Sequence, residues 1–145
     1  MSKITVIGSL NMDLAVSTPK IPVMGETILG SGFMTAPGGK GANQAVAASR
    51  LGGEVYMVGC VGNDIFGKNL LENLSENNVS VENVRTIEGC ATGIAMIVIN
   101  EGDNFIIVDP GANYRLTPEM IDDVEHLIKD SFIVVIQLEI PMETV

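Results

Sequence analysis

The chain has 145 residues, of which 46% are hydrophobic and 18% are charged, so we expect one packed domain and exclude an intrinsically disordered chain. Its formal net charge is −10 and no basic stripe is present, which argues against nucleic acid or an anionic membrane as a partner. The N-terminal apolar run is broken at Asn11, so we expect neither a signal peptide nor a membrane span.

The first third of the chain alternates β-like and helical patterns. Residues 4–8 (ITVIG) form a β-rich run ending in glycine and predict a buried strand. Residues 14–22 (LAVSTPKIP) contain two prolines and suit an edge strand. Short β segments are predicted around TILGS and GFMTA within residues 25–39. A helix is predicted over residues 41–51, with the Gly-Gly pair that follows as its stop.

The middle of the chain predicts a second buried strand and a capped helix. Residues 54–62 (EVYMVGCVG) are apolar after the leading Glu54, as buried strands of parallel sheets are. Asp64 is a suitable N-cap for a helix over residues 65–76, which the Asn-Asn pair ends. Residues 79–87 (VSVENVRTI) predict a short extended segment.

The last third predicts a hairpin, a helix and a final strand. Two β-rich runs between residues 92 and 111 flank a turn at residues 101–104. Thr117 and Pro118 are typical of a helix start, and residues 131–141 (SFIVVIQLEIP) predict the final strand. Because buried strands alternate with helices, we expect an α/β fold with a mainly parallel sheet covered on both faces. The extra β segments predict a smaller sheet standing off that layer.

Polar residues and glycines cluster where strands end and where the first helix begins. Ligands of open α/β sheets bind beyond the carboxyl ends of the strands. The candidate binding residues are therefore Asn11, Asp13, Gly38, Gly39, Lys40, Asn43 and Glu139. Each has an ordinary alternative, since Asn and Asp form turns, paired glycines make tight helix entries, and Lys and Glu are commonly solvated. Their joint placement favours one common site.

The glycine-rich helix entry does not match a phosphate loop. A Walker A loop requires G-x-x-x-x-G-K-[ST], whereas Lys40 is followed by Gly41, and no G-x-G-x-x-G follows the first strand. The carboxylates of Asp13 and Glu139 would repel phosphate, but they accept hydrogen bonds from hydroxyl groups. The residue set therefore predicts a site for a neutral polyhydroxylated molecule, a sugar.

Four segments resemble the ribokinase-type (PfkB-type) carbohydrate kinase family: GSLNMDL, TAPGGKGANQAVAASRLGG, VGNDIFG and QLEIP. The resemblance implies a three-layer α/β/α sandwich with a small β-sheet lid over the sugar. It implies transfer of the γ-phosphoryl group of ATP to the 5-hydroxyl of D-ribose, with Mg²⁺ and room for a monovalent cation such as K⁺. The residues that it assigns to the sugar hydroxyls are Asn11, Asp13, Gly39, Lys40, Asn43 and Glu139. Related kinases for other sugars or nucleosides often lack this lysine, so Lys40 favours ribose.

The resemblance also predicts which part of such an enzyme is present. Family members are about twice as long, and their second half carries the ATP site, a G-A-G-D anion hole and the catalytic Asp. We therefore expect residues 1–145 to be the N-terminal part of one domain, with lid segments at about 12–37 and 92–109, with no catalytic base and no activity alone. The alternatives are a kinase for another sugar or a nucleoside, and a non-catalytic sugar-binding module.

Three further expectations concern assembly, compartment and metal. The exposed edges of the lid sheet predict a homodimer that covers them. Cys60 and Cys90 lack C-x-x-C spacing and predict reduced thiols of a cytoplasmic protein. His126 has no zinc-type pattern around it, so no metal ligand is expected.

Overall fold

The computed structural model describes residues 2–145 as two four-stranded sheets with helices packed on the first. In chain order the strands are β1 (Lys3–Ile7), β2 (Asn11–Ser17), β3 (Ser31–Gly38), β4 (Glu54–Gly62), β5 (Val79–Ile87), β6 (Gly93–Asn100), β7 (Asp103–Asp109) and β8 (Ile133–Ile136). The helices are α1 (Lys40–Arg50), α2 (Ile65–Glu76), α3 (Pro118–Asp122) and α4 (Glu125–Asp130), and a 3₁₀ helix spans Gly111–Arg115. Within the described residues, no helix is long and apolar enough to cross a membrane.

The main sheet is parallel throughout, in the order β5-β4-β1-β8. Its central strands are apolar on both faces. Val6 and Met57 belong to a core that includes α1 and α2, whereas Ile7 and Val58 belong to a second core that includes the 3₁₀ helix and α4. Burial on both faces is typical of a parallel sheet, and the predicted α/β fold class is confirmed.

The second sheet has the order β3-β2-β6-β7, with β2 and β6 parallel and both outer pairs antiparallel. Its β6-β7 hairpin turns at Glu101 and Gly102, which have φ of 50° and 82°, as a two-residue type I′ turn requires. The turn is tighter than the predicted one. Asn11 pairs with Gly38 on one side and Gly93 on the other, so three strands meet at the base of this sheet, close to the end of β1.

Four boundaries differ from the sequence-based predictions. Residues 11–13 belong to β2 instead of preceding a strand at residue 14, because their backbones pair with β3 and β6. Residues 27–30 are not in a strand. The last strand stops at Ile136 because its neighbour β1 stops at the paired Ile7. The helix predicted after Thr117 is divided into α3 and α4, with the buried Val124 between them.

Asp64 joins the start of α2 to the start of β6. Its carboxylate accepts a hydrogen bond from the backbone N–H of Gly67 at 2.8 Å, which confirms the predicted cap. It also accepts hydrogen bonds from the N–H and the hydroxyl of Thr92, at 2.8 and 2.6 Å. Burial raises the pKa of Asp64, but these hydrogen bonds outweigh burial and hold the pKa below its ordinary value.

We expect Asp64→Ala to lower the free energy of unfolding by about 1–3 kcal/mol at neutral pH. Because the folded-state pKa is lowered, the charged carboxylate stabilises the fold above the unfolded-state pKa, and this stabilisation is lost as the pH falls through the folded-state pKa. The difference between variant and wild type should therefore shrink in acid. Urea unfolding at several pH values checks this, with the exposed Asp122→Ala as a control that changes stability by no more than about 0.5 kcal/mol. Equal losses in both variants would contradict the capping role.

Candidate functional site

A cleft opens between the two sheets beyond the carboxyl end of β1 and contains a cavity of about 170 Å³. Residues from β2, from the start of α1 and from the segment after β8 supply its polar lining, and the second sheet supplies its apolar lining. The polar residues are Asn11, Asp13, Gly39, Lys40, Asn43 and Glu139, and the apolar residues are Ala95, Ile97, Ile106 and Val108. The structure therefore brings six of the seven candidate residues together.

Gly38, the seventh candidate, lies beside the cleft and not in its lining. It ends β3 opposite Asn11, and a Cβ atom built on it would lie 2.7 Å from both carboxylate oxygens of Asp13. Glycine at this position leaves room for the Asp13 side chain.

Asp13 offers the cleft an unpaired acceptor. Asn11 and Asp13 are two residues apart on β2, so their side chains share one face of the strand. Burial raises the pKa of Asp13. Within residues 2–145, no group donates a hydrogen bond to this carboxylate, so both of its oxygens can accept from a ligand.

Lys40 and Glu139 form an ion pair across the cleft. Lys40 is the first residue of α1, and Glu139 follows β8. The hydroxyl of Ser9 donates to the second carboxylate oxygen of Glu139 at 2.8 Å. Burial raises the pKa of Glu139, but the hydrogen bonds from Lys40 and Ser9 and the charge of Lys40 outweigh it and hold the pKa below its ordinary value. The pair places a charged donor beside a charged acceptor, which suits hydroxyl groups.

Two buried amide side chains that sequence reasoning missed support this wall of the cleft. Asn113, in the 3₁₀ helix, bonds to both backbone groups of Leu10 and donates to Oδ1 of Asn11 at 2.7 Å. Oε1 of Gln137, which is also buried, accepts a hydrogen bond from the backbone N–H of Ser9 at 3.1 Å. No local signal reveals the Asn113 contact, because 103 residues separate it from Leu10.

A second cavity of about 270 Å³ adjoins the first and shares Asn11, Val108 and Glu139 with it. Its other lining residues are Pro110, Asn113, Tyr114 and Leu138. The cleft therefore continues from α1 toward the 3₁₀ helix.

The cleft does not suit the phosphates of a nucleotide. Two carboxylates line it, and its lysine is already paired with one of them. In the part of the chain that the structure describes, no group of three or more His, Cys, Asp or Glu residues is placed to hold a metal ion. The lining of the cleft suits a ligand with hydroxyl groups better than one with phosphates.

The chain is similar in sequence to known carbohydrate kinases. Residues 1–143 match the pfkB family carbohydrate kinase. The chain is 50% identical to the ribokinase of Lactococcus lactis, over 99% of this chain and 48% of that protein. It is also 50% identical to the ribokinase of Bacillus subtilis, over 100% of this chain and 50% of that protein.

The fold matches a solved structure of Arabidopsis thaliana ribokinase complexed with ribose and ATP. The TM-score is 0.89 at 36% identity, over 99% of this chain and 48% of that chain. The chain spans about half the length of the relatives that it matches. It belongs to the pfkB family of carbohydrate kinases.

Proposed function

We propose that this chain carries the sugar site of a kinase that transfers the γ-phosphoryl group of ATP to the 5-hydroxyl of D-ribose. The observation that carries the proposal is the cleft, in which the unpaired carboxylate of Asp13 lies with Lys40 and Asn43. Two further findings support ribose and ATP: the 50% identity to ribokinases and the likeness to a structure solved with both ligands.

Each polar side chain of the cleft has a distinct task in this proposal. Asp13 accepts hydrogen bonds from two neighbouring ribose hydroxyls, one on each oxygen. Lys40 and Asn43 donate to hydroxyl oxygens, and Glu139 accepts a further hydroxyl proton while Lys40 balances its charge. A sugar held at this many points presents its acceptor hydroxyl in one orientation, which is the main requirement of phosphoryl transfer.

The second sheet acts as a lid over the sugar and as a dimer interface. Ile106 and Val108 line the cleft, where they would exclude water from the reacting groups. Phe105 and Ile107, which alternate with them on β7, are 53% and 56% exposed, and β7 is an edge strand. Proteins seldom leave an exposed apolar edge strand uncovered. We infer a homodimer in which two lid sheets cover each other.

We infer that contacts to ATP, Mg²⁺ and any monovalent cation such as K⁺ lie mostly outside residues 2–145. The described cleft does not fit these groups, and relatives about twice as long have room for them elsewhere. ATP supplies the phosphoryl group and Mg²⁺ neutralises its charge, while the residues described here hold the acceptor. A cytoplasmic location is consistent with the free thiols of Cys60 and Cys90.

A kinase for a nucleoside is the second candidate. The adjoining cavity beside Tyr114 and Leu138 could hold a substituent on the sugar, which free ribose does not have. Calorimetric titration of the chain with D-ribose, other pentoses and nucleosides separates the candidates, because the preferred ligand binds most tightly. A non-catalytic module would bind sugar without supporting transfer in any longer chain that contains residues 1–145.

Asp13→Ala should weaken D-ribose binding by about 10- to 100-fold, the range for a lost hydrogen bond to a charged group. Isothermal titration calorimetry measures the change in Kd. Asp122→Ala is the matched control, because it removes an exposed carboxylate on α3. Unchanged affinity in the Asp13 variant would remove this residue from the site.

A further inference from the structure

Asn113 is a buried polar residue whose partners lie at the base of the second sheet. It is 1% exposed, and it belongs to the 3₁₀ helix that follows β7. Its Oδ1 accepts from the backbone N–H of Leu10 at 2.9 Å. Its Nδ2 donates to the backbone carbonyl of Leu10 at 3.1 Å and to Oδ1 of Asn11 at 2.7 Å.

The backbone of Leu10 determines which way the Asn113 amide faces. A backbone N–H only donates and a backbone carbonyl only accepts, so the oxygen of Asn113 must face the first and its nitrogen the second. The second proton on Nδ2 then points at Asn11. Asn11 must present its oxygen to that proton, and this fixes the orientation of the Asn11 amide as well.

The start of β6 encloses this pair of amides. A Cβ atom built on Gly93 would lie 2.2 Å from Oδ1 of Asn11 and 2.3 Å from Nδ2 of Asn113. Gly93 is paired with Asn11 in the second sheet. The amide contact is therefore closed in by backbone, which leaves Asn11 little freedom to rotate.

The nitrogen of Asn11 is left for a ligand. Within residues 2–145, Nδ2 of Asn11 makes no hydrogen bond. It nevertheless retains some accessible surface, because it is not one of the fully buried polar atoms without a partner. Asn11 is only 4% exposed as a residue, yet it lines both cavities of the cleft. The accessible part of its amide is therefore a hydrogen-bond donor.

We propose that Asn113 is a positioning residue that holds the Asn11 amide with its Nδ2 group turned into the cleft. The proposal rests on the proposed function, in which Asp13 accepts protons from sugar hydroxyls. A hydroxyl that donates its proton to Asp13 can receive another hydrogen bond only on its oxygen, and that requires a donor. Asn11, on the same face of β2, supplies this donor. A rotated amide would present its oxygen to the hydroxyl oxygen and repel it.

A double-mutant cycle tests this role by calorimetry with D-ribose. Asn113→Asp keeps an acceptor for the N–H of Leu10 and changes the group that faces Asn11. We expect it to weaken ribose binding by about tenfold in the wild-type background. In the Asn11→Ala background we expect less than about a twofold effect, because the group through which Asn113 acts is gone. Asn69→Asp, an exposed position on α2, controls for the added charge. Equal losses in both backgrounds overturn the proposal.

If Asn113→Asp does not fold, side-chain amide resonances of the ¹⁵N-labelled wild-type chain test whether Asn113 orients the Asn11 amide. We expect the NH₂ protons of Asn113 to exchange much more slowly with water than those of Asn69, and those of Asn11 to exchange faster than those of Asn113. The reverse order of exchange rates at Asn11 and Asn113 overturns the proposed orientation.

On adding D-ribose, the Asn11 NH₂ resonances should shift. A shift of cleft backbone amides without any shift of Asn11 NH₂ overturns the proposal, whereas no response to ribose at any residue counts against the proposed function instead.

Discussion

Gly39→Ala should lower the free energy of unfolding by about 3–5 kcal/mol, whereas Gly52→Ala should lower it by about 1–2 kcal/mol. The two glycines have nearly the same positive φ, 91° and 92°. A Cβ atom on Gly52 meets nothing within 4 Å. On Gly39 it would lie 2.6 Å from the backbone nitrogen of Asn11 and 2.8 Å from the backbone oxygen of Ser9.

Both variants place Ala at a positive φ near 90°, so the larger loss expected at Gly39 reflects mainly this close approach. Neither backbone atom can move aside without shifting the connection between β1 and β2, which carries Asn11 into the cleft. Urea unfolding of both variants measures the difference. Equal destabilisation would mean that α1 can move away from this connection at no cost.

A polypeptide of residues 1–145 should show no ribose-dependent formation of ADP above background, while a chimera should be active. The chimera joins residues 1–145 to the part of Bacillus subtilis ribokinase that lies beyond the matched half. Catalytic groups that act as a unit lose nearly all of their effect when one part is absent. In the proposed function the cleft holds the sugar, and its two carboxylates do not suit the phosphates of ATP.

Asp13→Ala in the chimera provides the matched control. It should lower kcat/KM for ribose by about 10- to 100-fold, because the chimera would draw its sugar site from this chain. ADP formation by the 145-residue polypeptide itself, abolished by Asp13→Ala, would show that the described residues perform the transfer. An inactive but folded chimera that still binds ribose would favour the sugar-binding module.

Local patterns in the sequence predict much of the fold. The continuous apolar run of β4 predicts a strand buried on both faces, and the cap at Asp64 predicts the start of α2 within one residue. The two β-rich runs on either side of residues 101–104 predict the β6-β7 hairpin. In each case the residues that decide the structure are neighbours in the sequence.

The candidate site is predictable only in part, because its geometry depends on distant pairing. The local sequence around Asn11 and Asp13 is compatible with either a turn or a strand. Their place in β2 follows from backbone pairing with β3 and β6. Gly38 resembles Gly39 in the sequence, but it packs against Asp13 instead of lining the cleft. The contact of Asn113 with Asn11 spans 102 residues, so no motif contains both.

Titration of the ¹⁵N-labelled chain with D-ribose, followed by backbone amide resonances, tests most directly whether the cleft is a sugar site. The account predicts saturable shifts that cluster at Asp13, Gly39, Lys40, Asn43 and Glu139, and none at the opposite end of the main sheet around Lys3 and Ser131. Shifts confined to that opposite end, or the absence of shifts at ribose concentrations that saturate known ribokinases, would contradict it.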